Sequence, residues 1–398
     1  MESILLKDII QKPISGEWGL EDLYGTGIPV LRTANFTNEG IINFENVVTR
    51  NISPSKLKGK LLQKGDILLE KSGGSDRQPV GRVVYFDGQA DKYGFNNFTS
   101  ALRISDLTMW NPKYIFYALY ANYHHGGTRK YENKTTGLHN LKVDLFIRSF
   151  SVPYATLIKQ NEIVKKLDLL NHLENVCEVQ LQKLDELIKS RFLERFGDPI
   201  INPFGYPIHK LGDYIENLTS GARGWARYYA DDGNAWFITI KNVKNCKITV
   251  DNMQTINAPD NAEAKRTRVK EGDLLISITA DLGRTGVVTK EIANKGSYIN
   301  QHLSCIRLNR YALEPLYVAY FMESEAGKRQ FKKENQSAVK AGINFKSIQS
   351  LKLMVPPLVR QEEFLSFYKQ VDKSKLAVQK SLDELEILKK SLMQTYFG

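Results

Sequence analysis

The chain has 398 residues, 42% of them hydrophobic, a length and composition that predict two or three folded units and exclude a disordered polymer. Its 55 lysines and arginines outnumber 44 aspartates and glutamates, and the net charge of +11 favours an acidic partner, with nucleic acid the first candidate. Three widely spaced cysteines form no C-x-x-C pair, so neither disulfides nor a zinc ribbon is expected. We expect a cytoplasmic protein without membrane contact, because the N-terminus does not resemble a signal peptide and no apolar run approaches ~20 residues.

The first half of the chain divides into a mixed region, residues 1–155, and a long helix, residues 156–200. In the mixed region, short β-rich runs such as G-R-V-V-Y-F at 81–86 are separated by Gly-rich turns. A Pro-x-Tyr sequence at Pro112 predicts the start of a helix, because proline suits the first helical turn. The long helix has no Gly or Pro in its interior, a run of about 38 residues that is long for a globular helix, and it ends in F-G at 196–197.

The second half repeats this plan, with a mixed region at 206–357 and a long helix at 358–398. Short matches recur in the same order, and the offset between the two copies stays between 201 and 207 residues. A period of half the chain indicates a duplication rather than a solenoid. The matched positions are Asp8 with Asp213, Gly16 with Gly221, Asn35 with Asn242, Asp66 with Asp273, Arg103 with Arg307, Tyr114 with Tyr317, Pro153 with Pro356 and Phe196 with Phe397.

Both long helices carry apolar residues at alternating spacings of four and three, the pattern of a narrow coiled-coil seam, with Lys375 and Lys389 in the same register. An amphipathic helix packed on a globular core is the alternative interpretation. Because the helices stand at equivalent ends of a duplication, we predict that they pair with each other and run antiparallel. The seam positions are Ile163, Leu167, Leu170, Leu181, Leu184, Ile188, Phe364, Tyr368, Val371, Val378, Leu382, Leu385 and Leu392.

The order of mixed region, long helix, mixed region and long helix resembles the specificity (S) subunit of type I restriction enzymes over the whole chain. The motifs that carry this resemblance are G-D-I-L at 65–68, a V-P pair followed by Gln160 or Gln361 at the entry to each helix, and F-G at each helix end. The resemblance implies an α+β fold. Two mixed α/β target-recognition domains would be separated by two long α-helices that pair as an antiparallel coiled coil, in a pseudo-two-fold internal repeat.

The resemblance also implies a function. Such a subunit is a non-catalytic reader of a bipartite, asymmetric DNA site, in which each domain reads one half-site while the helices set the spacing and dock other subunits. The expected partners are double-stranded DNA, two methyltransferase subunits and the restriction subunits that act as motor and nuclease. S-adenosylmethionine, ATP and Mg²⁺ are expected in those partner subunits, and no cofactor or metal is expected in this chain.

The alternative function is a single-chain DNA methyltransferase or nuclease with fused recognition domains. The sequence N-P-K-Y at 111–114 is similar to the N-P-P-Y motif of adenine methyltransferases, but the second copy has Glu314 in place of Asn111, which favours a helix start. Asp66, Glu70 and Lys71 have the composition of a nuclease metal site. The second copy does not keep Glu70 or Lys71, and no Walker loop or zinc-ligand spacing is present, so we do not expect catalysis.

Candidate DNA-reading side chains lie in basic loops that are rich in Gly, Asn and Gln. Arg and Lys suit guanine edges and phosphates, whereas Asn and Gln suit adenine edges. Solvated surface charge is the alternative interpretation of each. The candidates in the first mixed region are Arg32, Asn35, Lys71, Arg77, Gln78, Arg82, Arg129, Lys130 and Lys134. Those in the second are Lys241, Lys244, Arg284, Gln301, Lys332, Lys333 and Lys340.

Overall fold

A computed structural model describes residues 2–135, 138–336 and 342–398. The chain forms two compact units, one of residues 1–178 with 380–398 and the other of residues 179–379. Each unit contains one mixed region together with a part of each long helix. The predicted segments 1–155 and 206–357 are smaller than these units, and they stay our proposal for the extent of the two reading domains. Among the described helices, none is both long and apolar enough to cross a membrane.

The first copy alternates short strands with short helices before its long helix. Its strands are β1 (Ser3–Leu5), β2 (Ile14–Ser15), β3 (Leu20–Glu21), β4 (Ile28–Leu31), β5 (Val48–Asn51), β6 (Ile67–Glu70), β7 (Ser72–Gly74), β8 (Val83–Tyr85), β9 (Gly94–Phe95), β10 (Thr99–Leu102), β11 (Glu132–Thr135), β12 (Leu138–Leu141) and β13 (Ser151–Pro153). Its helices are α1 (Leu6–Ile9), α2 (Pro54–Leu57), α3 (Pro112–His124), α4 (Val143–Ser149) and α5 (Leu157–Phe196).

The second copy follows the same plan. Its strands are β14 (Ile208–Lys210), β15 (Ile215–Ser220), β16 (Ala235–Ile238), β17 (Val243–Lys244), β18 (Lys247–Ile248), β19 (Gln254–Ile256), β20 (Leu274–Ser277), β21 (Thr285–Val287), β22 (Tyr298–Ile299), β23 (Leu303–Leu308) and β24 (Lys352–Met354). Its helices are α6 (Ala262–Thr267), α7 (Lys290–Asn294), α8 (Pro315–Glu323), α9 (Glu325–Gln336), α10 (Phe345–Ser350) and α11 (Leu358–Phe397).

Each copy is built on an antiparallel sheet, in the order β2-β10-β6-β8 in the first copy and β15-β23-β20-β21 in the second. Successive side chains of a strand point to opposite faces of its sheet. Ile67 and Leu69 of β6 therefore enter the core formed with α3, whereas Leu68 enters a separate core beneath β4 and β9. Strand β20 divides its side chains between two cores in the same way.

A second sheet in each copy contains one parallel pair of strands, β4 with β9 in the first copy and β16 with β22 in the second. The carboxyl ends of two parallel strands meet at one edge of the sheet. We call this the parallel edge, and it is formed by the residues that follow β4 and β9, or β16 and β22. It brings together segments that lie about sixty residues apart in each copy.

The repeated Ser-Gly motif packs against the parallel edge. A Cβ atom on Gly16 would lie 2.2 Å from the carbonyl oxygen of Asn96, and one on Gly221 would lie 2.0 Å from the carbonyl oxygen of Asn300. A side chain at either position would displace backbone, so only glycine is compatible with this close approach. The duplication therefore keeps glycine here for a packing reason.

The repeated aspartate of the G-D motif is a buried ion-pair partner. The Arg103 guanidinium donates to Asp66 through Nε at 2.8 Å and Nη2 at 2.7 Å, and Arg307 donates to Asp273 at 2.9 and 2.8 Å. Both carboxylates have 1% of the side chain exposed. Each bidentate pair joins the residue just before a central strand, β6 or β20, to an arginine at the end of the neighbouring strand, β10 or β23. The pairs explain why the G-D and L-R-I matches recur together.

The glutamine that follows each V-P pair is fully buried and ties the long helix to the mixed region. Gln160 accepts from the backbone N of Asn111 and donates to the carbonyl oxygens of Met109 and Ala155. Gln361 makes the three equivalent bonds in the second copy. Each side chain thereby satisfies backbone groups at the start of α3 or α8, next to the start of its long helix.

Each long helix ends in an aromatic ring that packs against the Pro-x-Tyr helix of a unit. Phe196 lies 4.6 Å from Tyr317, between ring centroids, in the second unit, and Phe397 lies 5.1 Å from Tyr114 in the first. Helix α3 begins at Pro112 and α8 at Pro315, as the motif predicts. The helix that follows the first mixed region therefore ends in the core of the second unit, and α11 ends in the core of the first.

Within each unit the segments of α5 and α11 run antiparallel. In the second unit Asp185 pairs with Lys375 while Arg195, further along α5, pairs with the earlier Glu363. Every predicted seam residue is buried or half-buried. The buried ones are Ile163, Leu167, Leu170, Ile188, Phe364, Val371 and Leu382, and the half-buried ones are Leu181, Leu184, Tyr368, Val378, Leu385 and Leu392. Together with the duplicated sheets, this pairing confirms the predicted α+β fold class.

Candidate nucleic-acid interface

Two distant loops of the first unit form one groove of about 440 Å³, which contains three of the predicted DNA-reading residues, Arg77, Gln78 and Arg129. The groove is lined by Asn38, Arg77, Gln78, Pro79, Tyr123, His124, His125, Gly126 and Arg129. The Tyr123 hydroxyl donates to the carbonyl oxygen of Pro79 at 3.1 Å and so ties the first loop to the end of α3. Because Arg77 and Arg129 are exposed, the groove presents two solvated cations that suit phosphates or guanine edges.

Arg82, another predicted DNA-reading residue, makes its hydrogen bonds within the protein. Its guanidinium forms a bidentate pair with Glu70 at 3.0 and 3.1 Å and donates to the carbonyl oxygens of Thr33 and Phe36. Burial works against the charged form of Arg82, but its hydrogen bonds and charge attraction with Glu70 outweigh burial and raise its pKa. Arg82, which directly precedes β8, therefore links the end of β6 to the turn after β4.

Asn35 is also a structural residue, as is its counterpart Asn242. The Asn35 side chain is buried, accepts from the backbone N of Arg32 and donates to the carbonyl oxygen of Asn43. Asn242 accepts from the N of Thr239 in the same manner. These contacts close the short turn that follows β4 or β16, which explains why the asparagine recurs in both copies.

Arg32 and Lys71 lie close to the parallel edge of the first copy. Arg32 follows β4 directly, and its guanidinium lies 3.4 Å from the carbonyl oxygen of Asn46. The Lys71 ammonium donates to the hydroxyl of Ser15 at 2.9 Å, and partial burial lowers the pKa of Lys71. Beside the parallel edge, the Lys71 cation therefore contacts the serine side chain of the Ser-Gly motif.

In the second unit, most candidate cations are exposed on separate elements. Lys241 is exposed in the turn after β16 and Lys244 is exposed at the end of β17, whereas Arg284 pairs with Asp281 at 2.5 Å. Gln301 is half-buried on the turn after β22. Lys332 and Lys333 are exposed on α9. Lys340 lies outside the described residues.

Two further candidates belong to the first unit. The backbone of Lys134 is part of β11, and Lys130 is exposed beside the Tyr131 ring.

The parallel edge also presents side chains that sequence reasoning did not select. Asn97 and Phe98 are exposed on the turn after β9, and His302 stands beside Gln301 on the turn after β22. The available signal was the offset of 204 residues at the neighbouring L-R-I match, which aligns Asn97 with Gln301. The sequence predicts Gln301 from its side-chain chemistry alone, because the motifs around it do not show that the two turns are equivalent.

The residues that suggested catalysis have structural partners. The Asn111 side chain accepts from the backbone N of Lys113 and Tyr114, so it caps the start of α3. Asp66 and Glu70 are held by Arg103 and Arg82 and do not converge on a common open site. Within the part of the chain that the structure describes, no group of three His, Cys, Asp or Glu side chains could hold a metal ion.

Comparisons with known proteins agree with this architecture. A family model described as the type I restriction modification DNA specificity domain matches residues 210–386. Over 98% of its length the chain is 19% identical to the MjaX type I restriction enzyme specificity subunit of Methanocaldococcus jannaschii, and it covers 90% of that protein. It is also 22% identical, over 96% of its length, to the StySPI specificity subunit of Salmonella potsdam, of which it covers 84%.

Two solved structures share the fold. The S subunit of a type I restriction-modification system from M. genitalium is 13% identical and superposes with a TM-score of 0.60. The match covers 100% of this chain and 96% of that S subunit. A second structure, which describes complex assembly and conformational transition of a type I restriction-modification system, is 19% identical and superposes with a TM-score of 0.56. The match covers 100% of this chain and 97% of that chain.

Sequence and fold together define a duplicated protein in which long helices connect two mixed domains, the second of which matches a DNA specificity domain. Over nearly its whole length the chain is similar to specificity subunits of type I restriction-modification systems, and residues 210–386 match the DNA specificity domain of these systems. This similarity agrees with the predicted role of the chain as a specificity subunit.

Proposed function

We propose that this chain reads a bipartite, asymmetric DNA site, with region 1–155 reading one half-site and region 206–357 the other. The observation that carries the proposal is the duplication, in which equivalent backbone positions present different side chains. Lys71 stands where the second copy has Ile278, and the exposed Phe98 stands where it has His302. Base edges are distinguished by the donors, acceptors and apolar groups that meet them, so different side chains on the same framework select different half-sites.

The proposal includes partner subunits. The two equivalent units favour two methyltransferase subunits, one on each, together with restriction subunits that supply the motor and nuclease. Large apolar side chains on the long helices support docking, because a folded chain rarely exposes them in series without a partner. The exposed ones include Leu169, Leu173, Val176, Leu187, Leu376 and Ile387. S-adenosylmethionine, ATP and Mg²⁺ would be bound by these partners, and the complex would act on chromosomal DNA in the cytoplasm.

The test is to express the chain with its cognate methyltransferase subunit and to map methylated adenines over the genome. We expect one motif with two different specific parts and a non-specific spacer of several base pairs. The purified chain alone should transfer no methyl group from S-adenosylmethionine to DNA. A continuous or palindromic motif would contradict bipartite asymmetric reading.

Methylation by the lone chain would instead support the enzymatic alternative. Asn111→Ala then distinguishes the two interpretations. The enzymatic alternative predicts that methylation is lost with this asparagine, whereas in our interpretation the variant loses a cap of helix α3. A cap loss costs about 1 kcal/mol of stability and leaves the mapped motif unchanged.

A further inference from the structure

The turns that follow β9 and β22 are the same turn in the two copies. The first is closed by the backbone N of Thr99, which donates to the carbonyl oxygen of Asn96 at 3.1 Å. The second is closed by Leu303 and Asn300 at 3.2 Å. Each turn therefore begins with an asparagine at the parallel edge and presents two central residues outward, and we call these two turns the edge turns.

Matched hydrogen bonds hold both edge turns on their sheets. In the first copy the backbone N of Asn96 donates to Leu31 at 3.0 Å and that of Lys71 to Phe98 at 2.8 Å. In the second copy the corresponding bonds from Asn300 to Ile238 and from Ile278 to His302 are both 3.0 Å. Because Gly16 or Gly221 packs directly against its edge turn, the backbone of each turn is braced from both sides.

The first central residue of each edge turn carries a primary amide, Asn97 in one copy and Gln301 in the other. Asn97 is exposed and Gln301 is half-exposed. The second central residue carries a ring, Phe98 or His302, and Phe98 has 48% of its surface exposed. An amide followed by a ring at one rigid position of both copies is a common chemical feature within regions whose residues otherwise differ.

In the second copy the ring positions the amide. The Nδ1 atom of His302 lies 2.6 Å from the Thr279 hydroxyl, and its Nε2 atom lies 3.2 Å from Nε2 of Gln301. Because an amide nitrogen only donates, Nε2 of His302 accepts and Nδ1 carries the proton. The Gln301 amide, held through one N–H, still offers a second N–H and an oxygen, the pair that matches N7 and N6 of adenine.

We propose that Asn97 and Gln301 are equivalent specificity-determining residues, each of which reads an adenine in its own half-site. This inference rests on the proposed function and adds the residue, its place in the fold and the base that it selects. The ring beside each amide contacts the neighbouring base. Phe98 supplies an apolar surface suited to a thymine methyl group, and Lys71, bonded to the backbone of Phe98, supplies a cation to the adjacent phosphate.

The experiment maps methylated adenines for the subunit and its variants, each expressed with the cognate methyltransferase subunit. Asn97→Ala should relax one adenine position in one half-site and leave the other half-site unchanged, whereas Gln301→Ala should relax a position in the other half-site. Gln301→Glu and Asn97→Asp keep the size of the side chain but remove its donor. Since a carboxylate accepts from cytosine N4, these variants should shift preference from adenine toward cytosine at the same positions.

Duplex binding gives the magnitude and the controls. In complex with the methyltransferase subunit, the unsubstituted chain should prefer the mapped adenine over any other base by roughly 5- to 150-fold, and each alanine variant should lose most of that ratio at its own position. Gln349→Ala removes an exposed amide on α10 and should change no position. The carboxylate variants also test reading wherever an alanine variant does not assemble.

The outcomes separate this inference from the proposed function. The inference alone is overturned if the motif is bipartite but the Asn97 and Gln301 variants leave it unaltered. It is also overturned if the half-sites contain no position that depends on these residues. A parent motif without two specific parts overturns the proposed function as well.

Discussion

Asp273 and Arg307 form an ion pair whose carboxylate is almost completely removed from water. Burial works against the charge on Arg307, but its hydrogen bonds and charge attraction to Asp273 outweigh burial and raise the pKa of the guanidinium. The carboxylate also accepts from the backbone N of Lys270 at 2.8 Å. A buried charge in such a network is compensated only as long as every partner remains.

Removing the arginine should therefore cost more than removing a surface cation. We expect Arg307→Ala to lower the free energy of unfolding by about 3–5 kcal/mol, because Asp273 stays buried without its counter-ion. The control is Arg329→Ala, which breaks an exposed pair with Glu325 on α9 and should cost less than about 1 kcal/mol. Urea denaturation of the purified chains measures both, and equal losses would show that the buried pair has no special role.

The long helices carry polar side chains in a seam that is otherwise apolar. Lys389 pairs with Glu174 at 2.6 Å, and Lys375 pairs with Asp185, although both lysines occupy seam register. Both lysines are largely covered, with 19% and 15% of the side chain exposed. Polar groups at such positions favour the one register in which they find partners, at some cost in stability.

Two adjacent residues on α5 test the seam. Ile188 is fully buried in the core of the second unit, whereas Leu187 has 44% of its surface exposed. Ile188→Ala should destabilise the chain by about 2–5 kcal/mol through lost burial and a cavity. Leu187→Ala should change stability by less than about 0.5 kcal/mol, since it removes exposed surface away from the seam. Thermal and urea unfolding distinguish them, and an equal response of both variants would argue against the predicted seam.

At the scale of the whole molecule, each unit encloses its own cores. The clusters around α3 draw their residues from the first unit and those around α8 from the second. Region 208–350 meets the long helices through aromatic contacts such as Tyr317 with Phe196 and Tyr320 with Phe364, at 4.6 and 5.3 Å. A foreign segment that keeps these tyrosines can therefore pack on the same helices.

A domain exchange tests this modularity. Replacing residues 208–350 with the matching segment of a relative, with tyrosine retained at 317 and 320, should change one half-site and leave the other intact. The reason is that the first unit keeps every residue of its own cores. Mapping of methylated adenines gives the result directly, and a simultaneous change in both half-sites would mean that the two regions do not read independently.

The sequence by itself determined the duplication, the Pro-x-Tyr helix starts, the long helices and their seam. These features depend on residue order and on spacings within a few helical turns, and both can be read directly from the amino-acid sequence. The family resemblance also followed from motif order, because the V-P-to-Gln and F-G motifs mark the ends of elements. The lysines at 375 and 389 could be placed in register, but their partners could not be identified from one helix alone.

Only the tertiary structure decided which polar side chains are free to meet DNA. Asn35 and Arg82 match the chemistry of base and phosphate recognition, yet both are committed to backbone or to Glu70. Arg77 and Arg129 meet in one groove because β-strand pairing and α3 bring distant loops together. Long-range strand and helix pairing decides which side chains are used in internal hydrogen bonds and which distant loops lie side by side. Local composition does not encode that pairing. For the same reason the equivalence of Asn97 and Gln301 appears only when the two edge turns are compared bond by bond.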